Sequence, residues 1–135
     1  MFKVTRVDHI GIAVKDLAQA KKFYEEVLGL KSPGDEVVEE QKVKVCFFPI
    51  GDSELELLES TAPDGPIAKK KKKNGEGIQH VALRVDNTEN ALADLQEKGV
   101  RLIDQKPRYG AGGASIAFVH PKATGGILLE LCSRC

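Results

Sequence analysis

A chain of 135 residues with 41% hydrophobic content can bury a real core and fits one compact domain. Its 20 Lys and Arg balance its 20 Asp and Glu, which leaves no basic field for nucleic acid and points to small molecules or proteins as partners. The opening Met1-Phe2-Lys3-Val4-Thr5-Arg6 lacks the apolar run of a signal peptide, and no segment nears the roughly 18 apolar residues of a membrane helix, so a cytoplasmic protein is expected.

Asp8 to Val14 reads as a strand, with Ile10, Ile12 and Val14 on one face and His9 on the other. Asp16 then caps a helix through about Leu28, with Leu17, Ala20, Phe23, Tyr24 and Val27 at helical spacing and Gly29 at its end. From Ser32 to Lys42 the chain is polar, turns at Pro33-Gly34 and continues as a weak edge strand whose acidic residues face water. Val43 to Ile50 is a strand, Gly51-Asp52-Ser53 a tight turn and Glu54 to Glu59 the hairpin partner. In that partner Leu55 and Leu57 share one face, and Glu54 and Glu56 the other. Residues 60–76 form a connector with Pro63, Gly65, Pro66 and a lysine run from Lys69 to Lys73. A short helix is expected from Pro66 to Lys73, its lysines a solvated face rather than a phosphate contact.

The second half repeats this plan. Gln79-His80-Val81-Ala82-Leu83-Arg84-Val85 is a strand with His80 opposite Val81, Leu83 and Val85. Asn87 or Thr88 caps a helix marked by Ala91, Leu92 and Leu95 and ended by Gly99. Val100 to Ile103 is expected as a strand, Gln105 to Ala114 as a glycine-rich loop, Ser115 to His120 as a strand, Pro121 to Gly126 as a turn and Ile127 to Cys132 as the last strand. Cys46, Cys132 and Cys135 are too few for a disulfide framework, and the Cys132-x-x-Cys135 pair reads as free thiols.

Each half is thus β-α-β-β-β, over about 4–59 and 77–132. The interval from His9 to His80 nearly equals that from Glu56 to Glu130, and such an internal repeat decides the fold class. An α+β chain is expected: two β-α-β-β-β modules in tandem within a single domain, 1–135, forming a curved mixed sheet around a site.

The repeated polar positions name that site. The next residue on each histidine's side is small, Gly11 after His9 and Ala82 after His80, leaving space for a ligand or ion. Glu56 lies in Leu55-Glu56-Leu57-Leu58 and Glu130 in Leu129-Glu130-Leu131-Cys132, and a carboxylate among leucines is costly to bury unless it is paired or metal-bound. Two imidazoles and two carboxylates form the donor set of a first-row divalent ion.

These features resemble the vicinal oxygen chelate (glyoxalase) superfamily. The segments Asp8 to Val14, Gly51 to Glu59, Pro66-Ile67-Ala68-Lys69, Gly110-Ala111-Gly112-Gly113, His120-Pro121-Lys122 and Gly125 to Leu131 are similar to the signatures of methylmalonyl-CoA epimerases. The resemblance implies metal binding by His9, Glu56, His80 and Glu130, with Co2+ favoured and Mn2+, Ni2+ or Zn2+ also suited. It implies an acyl-CoA substrate, interconversion of (R)- and (S)-methylmalonyl-CoA through an enolate, and a homodimer.

Epimerisation removes a proton on one face of a carbon and returns one on the other. Glu130 is the first candidate base. Some relatives place a glutamate in the first module's third strand, where this chain has Val43-Lys44-Val45-Cys46-Phe47. Lys44, Glu56 and a bound water are the candidates for the second group, with Glu39 and Glu40 as weaker options. For substrate contacts the candidates are Lys44, Arg108, Lys122 and the backbone at Gly112 and Gly113. Two other readings share the fold. One is a lactoylglutathione lyase (glyoxalase I)-type isomerase, the other a non-catalytic small-molecule-binding protein. A dioxygenase fits less well, since Glu56 would fill a position that oxygen needs.

Overall fold

The computed structural model describes residues 1–62 and 76–134. The expected helix at 66–73, its lysine run, the Pro66 to Lys69 segment and Cys135 lie outside the described residues. The chain forms two compact units, one made of Ile10–Gln79, the other of Met1–His9 with His80–Cys135. No described helix is long and apolar enough to cross a membrane.

In the unit Ile10–Gln79 the strands are β1 (Val4–Ala13, from Ile10 on), β2 (Asp35–Val38), β3 (Val43–Ile50) and β4 (Ser53–Ser60), in the order β2-β3-β4-β1. The hairpin β3–β4 pairs Val43 with Ser60 through to Ile50 with Ser53. Across an antiparallel pair opposite residues share a face, so Cys46 and Phe48 lie with Leu55 and Leu57, and Phe47 lies with Glu56. The first face carries the core: Val14, Cys46, Phe48 and Leu57 are buried against Leu17, with Ala20 and Tyr24 packed on them from the helix. Strand β2 is the polar edge expected for this stretch; it pairs Asp35 with Cys46 through to Val38 with Val43.

Helix α1 (Leu17–Lys22) starts as its sequence demands, with Asp16 accepting from the Gln19 amide at 3.0 Å. It does not continue as an α-helix to Leu28. Phe23–Val27 forms a π-turn, closed by the Leu28 amide on the Phe23 carbonyl at 3.2 Å. Widening to five-residue hydrogen bonds rotates later side chains off the inward stripe. Phe23 and Val27, expected inside, are 52% and 68% exposed. Gly29, at φ +72, ends the segment.

In the other unit the strands are the start of β1, β5 (Gly77–Val85, from His80 on), β6 (Arg108–Tyr109), β7 (Ser115–Val119) and β8 (Leu129–Ser133), in the order β1-β5-β8-β7-β6. Strands β5 and β8 run parallel, pairing Ala82 with Glu130 and Leu83 with Leu131. Strands β7 and β8 are antiparallel, with Phe118 opposite Glu130. The mixed sheet is therefore present within this unit. Helix α2 (Thr88–Glu97) is capped by Asn87, which accepts from the Asn90 amide at 2.9 Å. It covers Val85, Ala117, Val119 and Leu131 with Ala91 and Leu92, and Leu83 and Leu129 pack at the margin.

The strand expected at Val100–Ile103 is reduced to one bridge, Leu102 to Val119. The Val100 amide is already spent on the Leu95 carbonyl at the helix end, and the Ile103 and Asp104 amides both turn to the Phe118 carbonyl. Too few backbone groups remain for a ladder. The glycine-rich stretch expected as loop holds β6 and a single turn at Ala111–Gly113.

Candidate active site

Pairing of β5 with β8 sorts the repeated polar residues from the core. Leu83, Val85, Leu129 and Leu131 face α2, so the alternation puts His80, Ala82 and Arg84 on the opposite face, in line with Glu130 and Cys132. Ala82, the next residue after His80 on this face, is fully buried. Phe118 stands opposite Glu130 and meets the His80 ring edge-on, with centroids 5.8 Å apart.

His9 joins this group. Its Nε2 lies 3.1 Å from Nε2 of His80. Glu130 spans both rings, Oε1 at 3.3 Å from His80 Nε2 and Oε2 at 3.5 Å from His9 Nε2. His9, His80 and Glu130 are each buried to 4% exposure or less. Two ring nitrogens and a carboxylate at this separation need a shared proton or cation between them. The spacing suits an ion, since two nitrogens each about 2.1 Å from one ion at nearly right angles lie about 3 Å apart. The donor set therefore fits a divalent metal.

What fixes His9 is a carboxylate that sequence reasoning passed over. Asp8 Oδ1 accepts from His9 Nδ1 at 2.7 Å, which places the proton on Nδ1 and leaves the Nε2 lone pair for the cluster. Asp8 is itself fully enclosed and held by two cations. Arg84 Nε donates to Oδ2 at 2.5 Å and Arg134 Nη2 to Oδ1 at 3.2 Å. Burial pushes the Asp8 carboxyl up, but the hydrogen bonds from His9, Arg134 and Arg84 outweigh it and hold the group well below the usual carboxylate range. The signal for Arg84 was present, since it shares the parity of His80; Arg134 had no local signal at all.

The sign of that shift gives a test. Asp8 ionises below its unfolded value of about 3.9, so it adds stability above that pH and loses it as the pH falls through the lower native value. In Asp8→Asn the thermal midpoint, followed by circular dichroism from about pH 5 to pH 2, is expected to fall less steeply than in wild type. An identical slope would show that Asp8 carries no such load.

The thiol of Cys132, on the same face, is pushed up to about 12 by burial and by the negative charges of Asp8 and Glu130. It is a packing residue beside the cluster, consistent with a free thiol.

Other candidate residues take varied places. Glu56 is buried, 4% exposed, on β4 opposite Phe47. Lys44 is on the other side of that hairpin, on the face of Cys46 and Phe48, where its ammonium lies 3.7 Å from Asp35. Strand alternation thus sets Lys44 on the opposite face of the hairpin from Glu56. Neighbours on the Glu56 face of β3 are Val43, Val45 and Phe47, which carry no proton. Glu39 and Glu40 are exposed on a short turn after β2.

Arg108 sits over the Phe118 ring, 5.3 Å from its centroid, with Nε 3.4 Å from Asp104. It reaches the rim of the cluster through Phe118. Gly112 and Gly113 have φ of +71 and +77, a left-handed pair that turns successive amides in a way other residues resist. Lys122 is exposed on the turn that follows β7.

The chain matches the model of the Glyoxalase/Bleomycin resistance protein/Dioxygenase superfamily over residues 8–118. It is 38% identical to the mitochondrial methylmalonyl-CoA epimerase of Bos taurus, over 97% of this chain and 75% of that one. A solved methylmalonyl-CoA epimerase in complex with methylmalonyl-CoA and NH4+ is 40% identical, with a TM-score of 0.94 over 98% of this chain and 96% of that chain. A Streptomyces coelicolor methylmalonyl-CoA epimerase in complex with 2-nitronate-propionyl-CoA is also 40% identical, with a TM-score of 0.95 and the same coverage. The chain belongs to the glyoxalase superfamily and, within it, to the methylmalonyl-CoA epimerase family of isomerases.

Proposed function

We propose that this protein interconverts (R)- and (S)-methylmalonyl-CoA by taking a proton from C2 and returning one to the opposite face. The observation that carries the reading is the closure of His9, His80 and Glu130 around one point, in a chain of the epimerase family. Glu56 is the fourth metal ligand in this reading, by its repeat relation to Glu130 and its burial. When bound, a divalent ion, with Co2+ favoured, supplies Lewis-acid stabilisation for the negative charge that gathers on the substrate's carboxylate and thioester oxygens.

The chain's own groups do the rest. The C2 hydrogen lies between a carboxylate and a thioester carbonyl and is acidic for a carbon acid. Glu130 takes it, one carboxylate oxygen remaining toward the imidazoles while the other receives the proton. With Lys44 on the helix side, Glu56 or a water serves as the group that returns a proton to the opposite face. Asp8 keeps His9 in one tautomer throughout. The amides of Gly112 and Gly113 and the guanidinium of Arg108 serve substrate oxygens at the rim, and Lys122 serves the outer phosphates of the acyl-CoA. The enzyme acts in the cytoplasm, as a homodimer.

Incubation with methylmalonyl-CoA in D2O tests this reading. Deuterium is expected at C2 in metal-loaded protein only; exchange at full rate in metal-stripped protein would overturn it.

A further inference from the structure

The Asp8 carboxylate links His9 to a more distant part of the same compact unit. Its Oδ1 accepts from both His9 Nδ1, at 2.7 Å, and Arg134 Nη2, at 3.2 Å. The other terminal nitrogen of the same guanidinium, Nη1, donates to the Ala111 carbonyl at 3.5 Å. Ala111 opens the turn Ala111–Gly113, where Gly112 has φ +71. A Cβ placed on Gly112 would lie 2.9 Å from Arg134 Nη1. One planar group is thus pressed between the glycine turn and the carboxylate that orients an imidazole. Its rigid fork lets it serve both at once, which a lysine cannot do with the same geometry.

We infer that Arg134 is a positioning residue that couples the conformation of the Ala111–Gly113 turn to the orientation of His9. Anything that displaces the turn shifts the guanidinium and, through Asp8 Oδ1, the direction of the His9 Nε2 lone pair. By the same route a substrate that orders the turn strengthens metal binding, and bound metal strengthens substrate binding, since such coupling is reciprocal. Asp8 stays anchored without Arg134, because Arg84 holds its other oxygen, Oδ2. Loss of Arg134 therefore changes the aim of His9 rather than abandoning the buried carboxylate. The inference rests on the reading of His9 as a metal ligand.

Three variants separate coupling from simple packing: Arg134→Gln, Gly112→Ala and the two combined. Co2+ affinity is measured by calorimetry on the full chain, and the visible spectrum of the bound Co2+ reports its coordination. Melting of the ion-free forms serves as the control for folding. Each single substitution is expected to weaken Co2+ binding about ten- to hundredfold, the usual effect of disturbing a residue behind a metal ligand, and to alter the spectrum. The double variant is expected to be no weaker than the worse single one, because both act through one guanidinium. If Arg134→Gln proves unstable, Arg134→Lys takes its place, with affinity expected between that of wild type and that of Gly112→Ala. Unchanged affinity and spectrum in the Arg134 variant, or additive losses in the double variant, would overturn the coupling while leaving the metal site intact. Wild-type protein that takes up no Co2+ would overturn the metal reading itself, and this inference with it.

Discussion

Replacing Glu130 by glutamine is expected to slow deuterium incorporation at C2 of methylmalonyl-CoA by about 10²–10⁴-fold, the range for losing a positioned general base. Glu130 is 4% exposed on β8, opposite Phe118 on one side and Ala82 on the other. Glutamine has nearly the same shape and keeps an oxygen that can face the imidazoles, but it cannot accept a proton. The substitution therefore separates proton transfer from packing. Co2+ uptake is expected to fall far less than exchange, and the melting temperature of the ion-free protein to change little. Exchange within a few-fold of wild type would move the base elsewhere, and Glu56 would become the first alternative.

Removing the metal is expected to have the larger effect on stability. His9 Nε2 and His80 Nε2 are held 3.1 Å apart with both Glu130 oxygens close by, so the folded chain presents converging donors that the unfolded chain lacks. Binding to the folded form alone stabilises by about 4 kcal/mol when free ion stands a thousandfold above its dissociation constant. Thermal unfolding with and without chelator should differ accordingly, by more than ten degrees for a chain of this size at roughly 3–5 °C per kcal/mol. Protons compete with the ion for both imidazoles, so the difference should shrink on acidification. A melting temperature indifferent to chelator would contradict the reading of this cluster as a metal site.

Much of this was legible in the chain because it rests on local periodicity. The alternation in Val81-Ala82-Leu83-Arg84-Val85 correctly places His80 away from the helix, and the leucines flanking Glu130 do the same for that carboxylate. Asp16 and Asn87 mark the starts of both helices, since a side-chain acceptor there answers the free amides of a first turn. Strand β3 was equally clear in extent but not in facing. Val43, Val45 and Phe47 alternate with Lys44, Cys46 and Phe48, so both parities are apolar. Only the register of Phe47 with Glu56 shows that Lys44 belongs to the helix side.

Other features depend on contacts that no local pattern carries. The π-turn at Phe23–Val27 exposes residues whose spacing suits an ordinary helix. The Val100 amide closes the end of α2 instead of entering a ladder. Asp8, Arg84 and Arg134 come from three separate strands or strand ends, and their meeting depends on the pairing of β5 with β8 and on the path of the chain after Ser133. Long side chains reaching across a sheet are the part of a site that sequence spacing describes least well.

The decisive measurement is a paired assay of the purified protein with methylmalonyl-CoA and with a glutathione hemithioacetal, the metal content being determined on the same sample. Epimerisation of methylmalonyl-CoA alone, with one divalent ion per chain and loss of turnover on chelation, is the expected result. Turnover of the hemithioacetal alone, or undiminished epimerisation without metal, would contradict it.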